Sequence, residues 1–126
     1  MATPPAKKVL VVEDNELNMK LFHDLLDAHG YNILQTKDGM EALDIAREHH
    51  PDLILMDIVM PGMNGYQATR TLTNDPSTSA IPIVMVTSKG QETDKIWGLR
   101  QGAIDYMVKP VSPSDLVAKA QSTLAA

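Results

Sequence analysis

The chain has no cysteine, one tryptophan and one phenylalanine, and aromatic residues make up only 4% of it. Without thiols it holds neither a disulfide scaffold nor a thiolate zinc site, which is compatible with a reducing compartment; the cytosol is the expected location. No apolar run reaches membrane-spanning length, and the opening MATPPAKK carries no apolar signal core after its charges. Residues 1–7 read as a disordered leader and 8–126 as one domain, with no membrane association. Basic clusters are also scarce. A formal net charge of -5 and a pI near 5.2 argue against a surface that grips phosphate backbones, so nucleic acid is not an expected partner. What is present suffices for a core: 126 residues at 44% hydrophobic content bury one without covalent staples.

Short apolar runs alternate with amphipathic segments. KVLVV reads as a buried strand, and NELNMKLFHDLLDAHG has helical spacing and stops at Gly30. YNILQT is a second strand; Asp38 then caps a helix whose Met40, Leu43 and Ala46 are expected on one face until Pro51. DLILMD, IPIVMVT and AIDYMVK are three further strands, followed by helices over GYQATRTLTND, ETDKIWGLRQG and the segment after Ser112. In the fourth helix Ile96, Leu99 and Ala103 are expected to face inward, leaving Trp97 off the centre of that face and partly packed. Ser112 as N-cap, Pro113 in the first turn and Asp115 near the positive end of the dipole mark the last helix. Five strands alternating with five helices predict a doubly wound α/β fold, a parallel sheet covered on both faces.

In such folds ligands collect beyond the carboxyl ends of the strands. The polar residues there are Glu13 and Asp14 after the first strand, Asp57 at the end of the third, Thr87 at the end of the fourth and Lys109 after the fifth. Alone, Asp57 could be a turn or cap residue, and Glu13 and Asp14 could be charges suited to a helix start. Together they form a cluster of carboxylates that needs a cation. Oxygen ligands without histidine or cysteine favour a hard divalent ion, Mg²⁺ above all. Lys109 and the Thr87 hydroxyl then suit an anion beside the metal, and the chemistry expected is phosphoryl transfer onto Asp57. His23, His29, His49 and His50 lie in helices or at their ends and read as solvated.

VVEDN, LILMDIVMPGMNG, MVTS and YMVKP, in that order and spacing, resemble the receiver domain of two-component response regulators over nearly the whole chain. The resemblance implies a five-stranded flavodoxin-like fold with strand order 2-1-3-4-5, and Asp57 as acceptor of a phosphoryl group from a histidine kinase or phosphotransfer protein. It implies Mg²⁺ held by Glu13, Asp14, Asp57 and the backbone carbonyl of Val59, with Thr87 and Lys109 on the phosphoryl group. Tyr106 is implied as the conformational readout, a cis bond between Lys109 and Pro110, and a partner surface on the fourth helix, fifth strand and fifth helix that includes Trp97. With no output module before residue 126, such a protein acts by binding a downstream target. It assists its own phosphorylation and dephosphorylation and is not a turnover enzyme.

The first half is similar to DivK-type regulators of cell-cycle and polarity signalling, and the second to chemotaxis-like receivers that control twitching motility, a split compatible with a chimeric or consensus-designed chain. Two positions depart from chemotaxis receivers, where polar or acidic residues place the attacking water: here they are Val59 and Lys89. Val59 cannot orient a water, so a long-lived phosphoryl group is expected, and Lys89 would favour phosphorylation. Three other classes compete. A haloacid-dehalogenase-type enzyme needs a second aspartate where this chain has Val59, and a nucleotide or flavin binder needs a glycine-rich loop where it has EDNELN. An inert or designed scaffold of the same fold is the third.

Overall fold

Strands and helices alternate without exception: β1 (Lys8–Val12), α1 (Glu16–Ala28), β2 (Asn32–Thr36), α2 (Gly39–His49), β3 (Leu53–Asp57), α3 (Gly65–Asn74), β4 (Ile83–Thr87), α4 (Glu92–Arg100), β5 (Asp105–Val108) and α5 (Pro113–Leu124). This computed structural model describes residues 6–58, 60, 62–87 and 92–125, without the side chains of 92–95. All strand pairs are parallel, in the order β2-β1-β3-β4-β5. The doubly wound fold expected from the sequence is the one observed. No helix among the described residues is long and apolar enough to cross a membrane.

Alternation within the strands divides the core in two. Val9, Val11, Leu53, Leu55, Val84 and Val86 face α1 and α5, meeting Met19, Phe22, Leu26, Leu116 and Ala120. Leu10, Val12, Ile54, Met56 and Ile83 face the other way, onto Ala42, Leu43 and Ala46 of α2 and Ala68 and Leu72 of α3. Edge strands are less enclosed, with Asn32 and Gln35 of β2 and Val108 of β5 exposed.

Helix ends follow local chemistry. Asn15 caps α1 by accepting from the Asn18 N–H at 3.0 Å, and beyond its C-cap His29 the chain turns at Gly30, where φ is 88°. Ser112 caps α5, its Oγ accepting from the Asp115 N–H at 3.1 Å. Ser112→Ala is expected to cost about 1 kcal/mol, read as a lower urea midpoint at unchanged slope.

Two expectations about buried faces need correction. Met40 is 55% exposed, because the buried stripe of α2 is Gly39, Ala42, Leu43 and Ala46, and Met40 lies about 100° around the helix from Gly39. In α4, Ile96 is 45% and Leu99 43% exposed. Among the described side chains of α4, Gly98 is the one seated on the sheet, where a Cβ would lie 2.5 Å from Met85 Sδ. A helix lying that close to β4 through a glycine leaves its larger apolar neighbours outside; of the expected face only Ala103, beyond the end of α4, is buried.

Candidate functional site

Register brings the strand-end residues to one edge. Val12 pairs with Met56, which puts Glu13 level with Asp57; Asp57 pairs with Val86 and Thr87 with Val108, so Thr87 and Lys109 each follow one step further across the sheet. Residues far apart in sequence therefore share one site: Glu13, Asp57 and Thr87 are buried there, Lys109 is half-buried and Asp14 is exposed.

Carboxylate oxygens of Glu13, Asp14 and Asp57 lie within 4.8 Å of one another. Lys109 Nζ stands 2.6 Å from Glu13 Oε1 and 3.4 Å from Asp57 Oδ1, one cation between two buried carboxylates. The shorter contact is an ion pair and not an aligned hydrogen bond, so Glu13 Oε1 remains a buried acceptor without a directed donor. Backbone contacts fix both acids. The Glu13 N–H donates to the Thr36 carbonyl at 3.0 Å, and the Asn15 N–H reaches Glu13 Oε2 at 3.4 Å. After Asp57 the chain loops back until the Gly65 N–H donates to the Ile58 carbonyl at 2.9 Å, and the capping box of Asn64 and Gln67 starts α3 there. The Lys109 N–H donates to the Thr87 carbonyl at 2.6 Å, and the Lys109–Pro110 bond is cis.

Electrostatics follow from that packing. Burial, and then the Glu13 carboxyl beside it, push the Asp57 carboxyl up to about 8, against the opposing pull of Lys109. Burial also works against a charge on Glu13, but the Asp57 carboxyl and the Lys109 ammonium overcome it and hold Glu13 below its ordinary value. Desolvation opposes the charge on Lys109 too; Glu13 and Asp57 outweigh it and raise the lysine above its ordinary value. In the metal-free site the coupled pair thus shifts its proton toward Asp57 and its negative charge toward Glu13. An all-oxygen set of three acids, one oxygen of which lacks an aligned donor, fits a hard divalent cation that would take the place of that proton.

The sequence expectations divide accordingly. Glu13, Asp14, Asp57, Thr87 and Lys109 come together at one edge. Val59, expected to offer its carbonyl to the metal, and Lys89, expected to modulate the chemistry, lie outside the described residues. Tyr106, like Tyr66, packs against the cluster of Ile58, Met85 and Ala103, while Trp97 is 52% exposed on α4. Sequence reasoning missed Thr36, whose carbonyl holds Glu13, and the glycines that allow close approach around the loop after Asp57. At Gly65 a Cβ would clash with the Asp57 carbonyl oxygen. Nothing in the string MPGMNG distinguishes a glycine needed for space from one needed for a turn.

Comparison with known proteins agrees with this geometry. Protein PilH of Pseudomonas aeruginosa is 48% identical over 118 residues, covering 94% of this chain and 98% of its own. The polar-differentiation response regulator DivK of Brucella ovis is 50% identical over 107 residues, 84% of this chain and 86% of its own. Each relative spans both halves of the sequence. Among solved structures, the receiver domain of sensor histidine kinase PA1611 from P. aeruginosa, with a magnesium ion coordinated in its active site cleft, superposes with a TM-score of 0.89 at 30% identity, covering 96% of this chain and 99% of its own. Residues 9–121 match the response regulator receiver domain, and the chain belongs to that family.

Proposed function

We propose that the chain is a single-domain response regulator in which Asp57 accepts a phosphoryl group from a histidine kinase or phosphotransfer protein, with Mg²⁺ at the acidic cluster, and which then signals by binding a downstream protein in the cytoplasm. Family members are signalling proteins and not turnover enzymes. The observation that carries the reading is the set of buried acids with Lys109 between Glu13 and Asp57 at the carboxyl edge of the sheet.

Each residue has a role that its position allows. Asp57, once deprotonated, attacks phosphorus; its Oδ–P bond forms as the donor's P–N bond breaks, and the electron pair leaves with the imidazole nitrogen. Lys109 already faces the attacking carboxylate and offers its ammonium to the transferred oxygens, with the Thr87 hydroxyl as a second donor. Glu13, Asp14, Asp57 and the Val59 carbonyl would hold Mg²⁺, which when bound supplies positive charge to the phosphoryl oxygens. Oxygens gathered at Asp57 draw on Thr87, whose strand pairs with β5, and Tyr106 lies on β5 three residues before Lys109, so the state of the acceptor reaches the β5 surface as a shift between two conformations. That surface offers a groove of about 460 Å³ lined in part by Tyr106, Val111, Asp115 and Lys119, with Trp97 exposed on the neighbouring α4.

Intact-mass spectrometry after incubation with Mg²⁺ and acetyl phosphate tests the reading. One added phosphoryl group is the expected result, and its decay is expected to be slow because Val59 cannot orient a water; a lifetime of seconds would sink that kinetic claim. A chain that neither gains mass nor binds Mg²⁺ is an inert scaffold of this fold.

A further inference from the structure

The first turn of α2 lies outside the acidic site, yet it and its cap meet the loop that follows Asp57 and the threonine that holds Glu13. A Cβ built on Gly39 would stand 2.7 Å from the Met63 carbonyl oxygen and 3.3 Å from the Met63 Cβ, closer than a side chain tolerates. Gly39 has no positive φ, so its backbone conformation does not call for glycine, and in a helix glycine is inferior to alanine. What the position requires is space for the backbone of the loop that follows Asp57.

The same corner is fastened to the other acid. Asp38, the α2 N-cap, accepts from the Met40 N–H at 2.8 Å, and its own N–H donates to Thr36 Oγ1 at 3.2 Å. The Thr36 carbonyl in turn holds the Glu13 N–H at 3.0 Å. From Met63 the loop runs two residues to Gly65, which lies flush against the Asp57 carbonyl. A continuous run of contacts, backbone except for the Thr36 hydroxyl, thus links Glu13 to the Asp57 loop through Thr36, Asp38 and Gly39.

We propose that Gly39 is a positioning residue for the acidic site: its missing side chain lets the β2–α2 corner seat the loop after Asp57, and so sets the spacing of Asp57 from Glu13 and Asp14. The phosphoryl-transfer part of this rests on the function proposed above; the metal-binding part does not. A side chain at residue 39 forces the loop away from the corner, and misplacement of reacting or coordinating groups on that scale is costly.

Gly39→Ala tests it, with Mg²⁺ affinity by calorimetry, thermal melting and acetyl phosphate uptake measured beside the parent. The expected result is a folded protein whose Mg²⁺ affinity and uptake rate each fall by about tenfold. A purely structural role for Gly39 predicts something different, a changed melting temperature with an unchanged Mg²⁺ affinity; that outcome overturns the proposal. Should Gly39→Ala fail to melt cooperatively, Met63→Gly loosens the same contact from the loop side, and is likewise expected to weaken Mg²⁺ binding by about tenfold. Unchanged Mg²⁺ affinity in that variant overturns the proposal as well. A parent that binds Mg²⁺ but takes up no phosphoryl group overturns the phosphoacceptor reading alone, and the Mg²⁺ comparison then decides for or against Gly39. A parent that binds neither overturns both.

Discussion

Asp57→Asn is expected to gain no phosphoryl group under conditions in which the parent gains one, and to become the more stable of the two metal-free proteins as pH rises from 5 to 8. The first effect follows from chemistry: an amide nitrogen or oxygen does not replace the carboxylate nucleophile. The second follows from linkage. Burial and Glu13 raise the Asp57 carboxyl to about 8 in the folded chain, from an ordinary value of 3.8. Between those values the folded protein holds a proton that the unfolded chain has released, so stability is full below about 4 and is lost as pH climbs toward 8. The slope is no steeper than about 1.4 kcal/mol per pH unit. Asparagine stays neutral and offers an N–H in the place of the protonated carboxyl, so the variant lacks that decline. Glu13, held low, and Lys109, held high, act outside this window: Glu13 contributes stability that is lost on acidification through its folded value, and Lys109 stability that is lost only above its ordinary 10.5. Paired urea titrations at several pH values check the prediction, and parallel curves for the two proteins would refute it.

Mg²⁺ binding is expected to strengthen by up to about tenfold per pH unit between 6 and 8 and to level off above that, because the cation must displace the Asp57 proton. Calorimetry in buffers of different ionisation enthalpy is expected to show close to one proton released per ion at pH 6 and well under one above pH 8. An affinity independent of pH across this range would mean that the Asp57 proton is not linked to the metal. The consequence for phosphorylation is direct. Under the proposed function, metal binding and nucleophile activation would be the same event, since removing the proton creates both a ligand and an attacking oxygen.

Much of the site was legible in the sequence because strand ends were recognisable and the residues at them had unlike chemistry. Asp57 after LILM, Lys109 before proline and the pair Glu13–Asp14 after KVLVV needed only a parallel sheet to converge, and the alternation of strands and helices supplied it. Rotation of the helices was less legible. Met40 and Leu43 are three residues apart, and so are Ile96 and Leu99, yet spacing gives a shared face without saying which way that face turns. In α4 the answer lay with Gly98, a residue that hydrophobic periodicity ignores. Contacts made by absent atoms escaped in the same way: Gly39 and Gly65 resemble ordinary loop punctuation until the neighbouring carbonyls are seen.

The origin of the site residues in β1, β3, β4 and β5 bears on protein synthesis. A nascent chain released as far as residue 100 carries Glu13, Asp14, Asp57 and Thr87 but not Lys109 or the edge strand that presents it. Such a chain holds buried acids without their counter-ion, an arrangement that opposes closure of the sheet. Truncated and half-translated copies that lack β5 are therefore expected to leave the acidic site unassembled, so its full set of groups forms only once the last strand is in place.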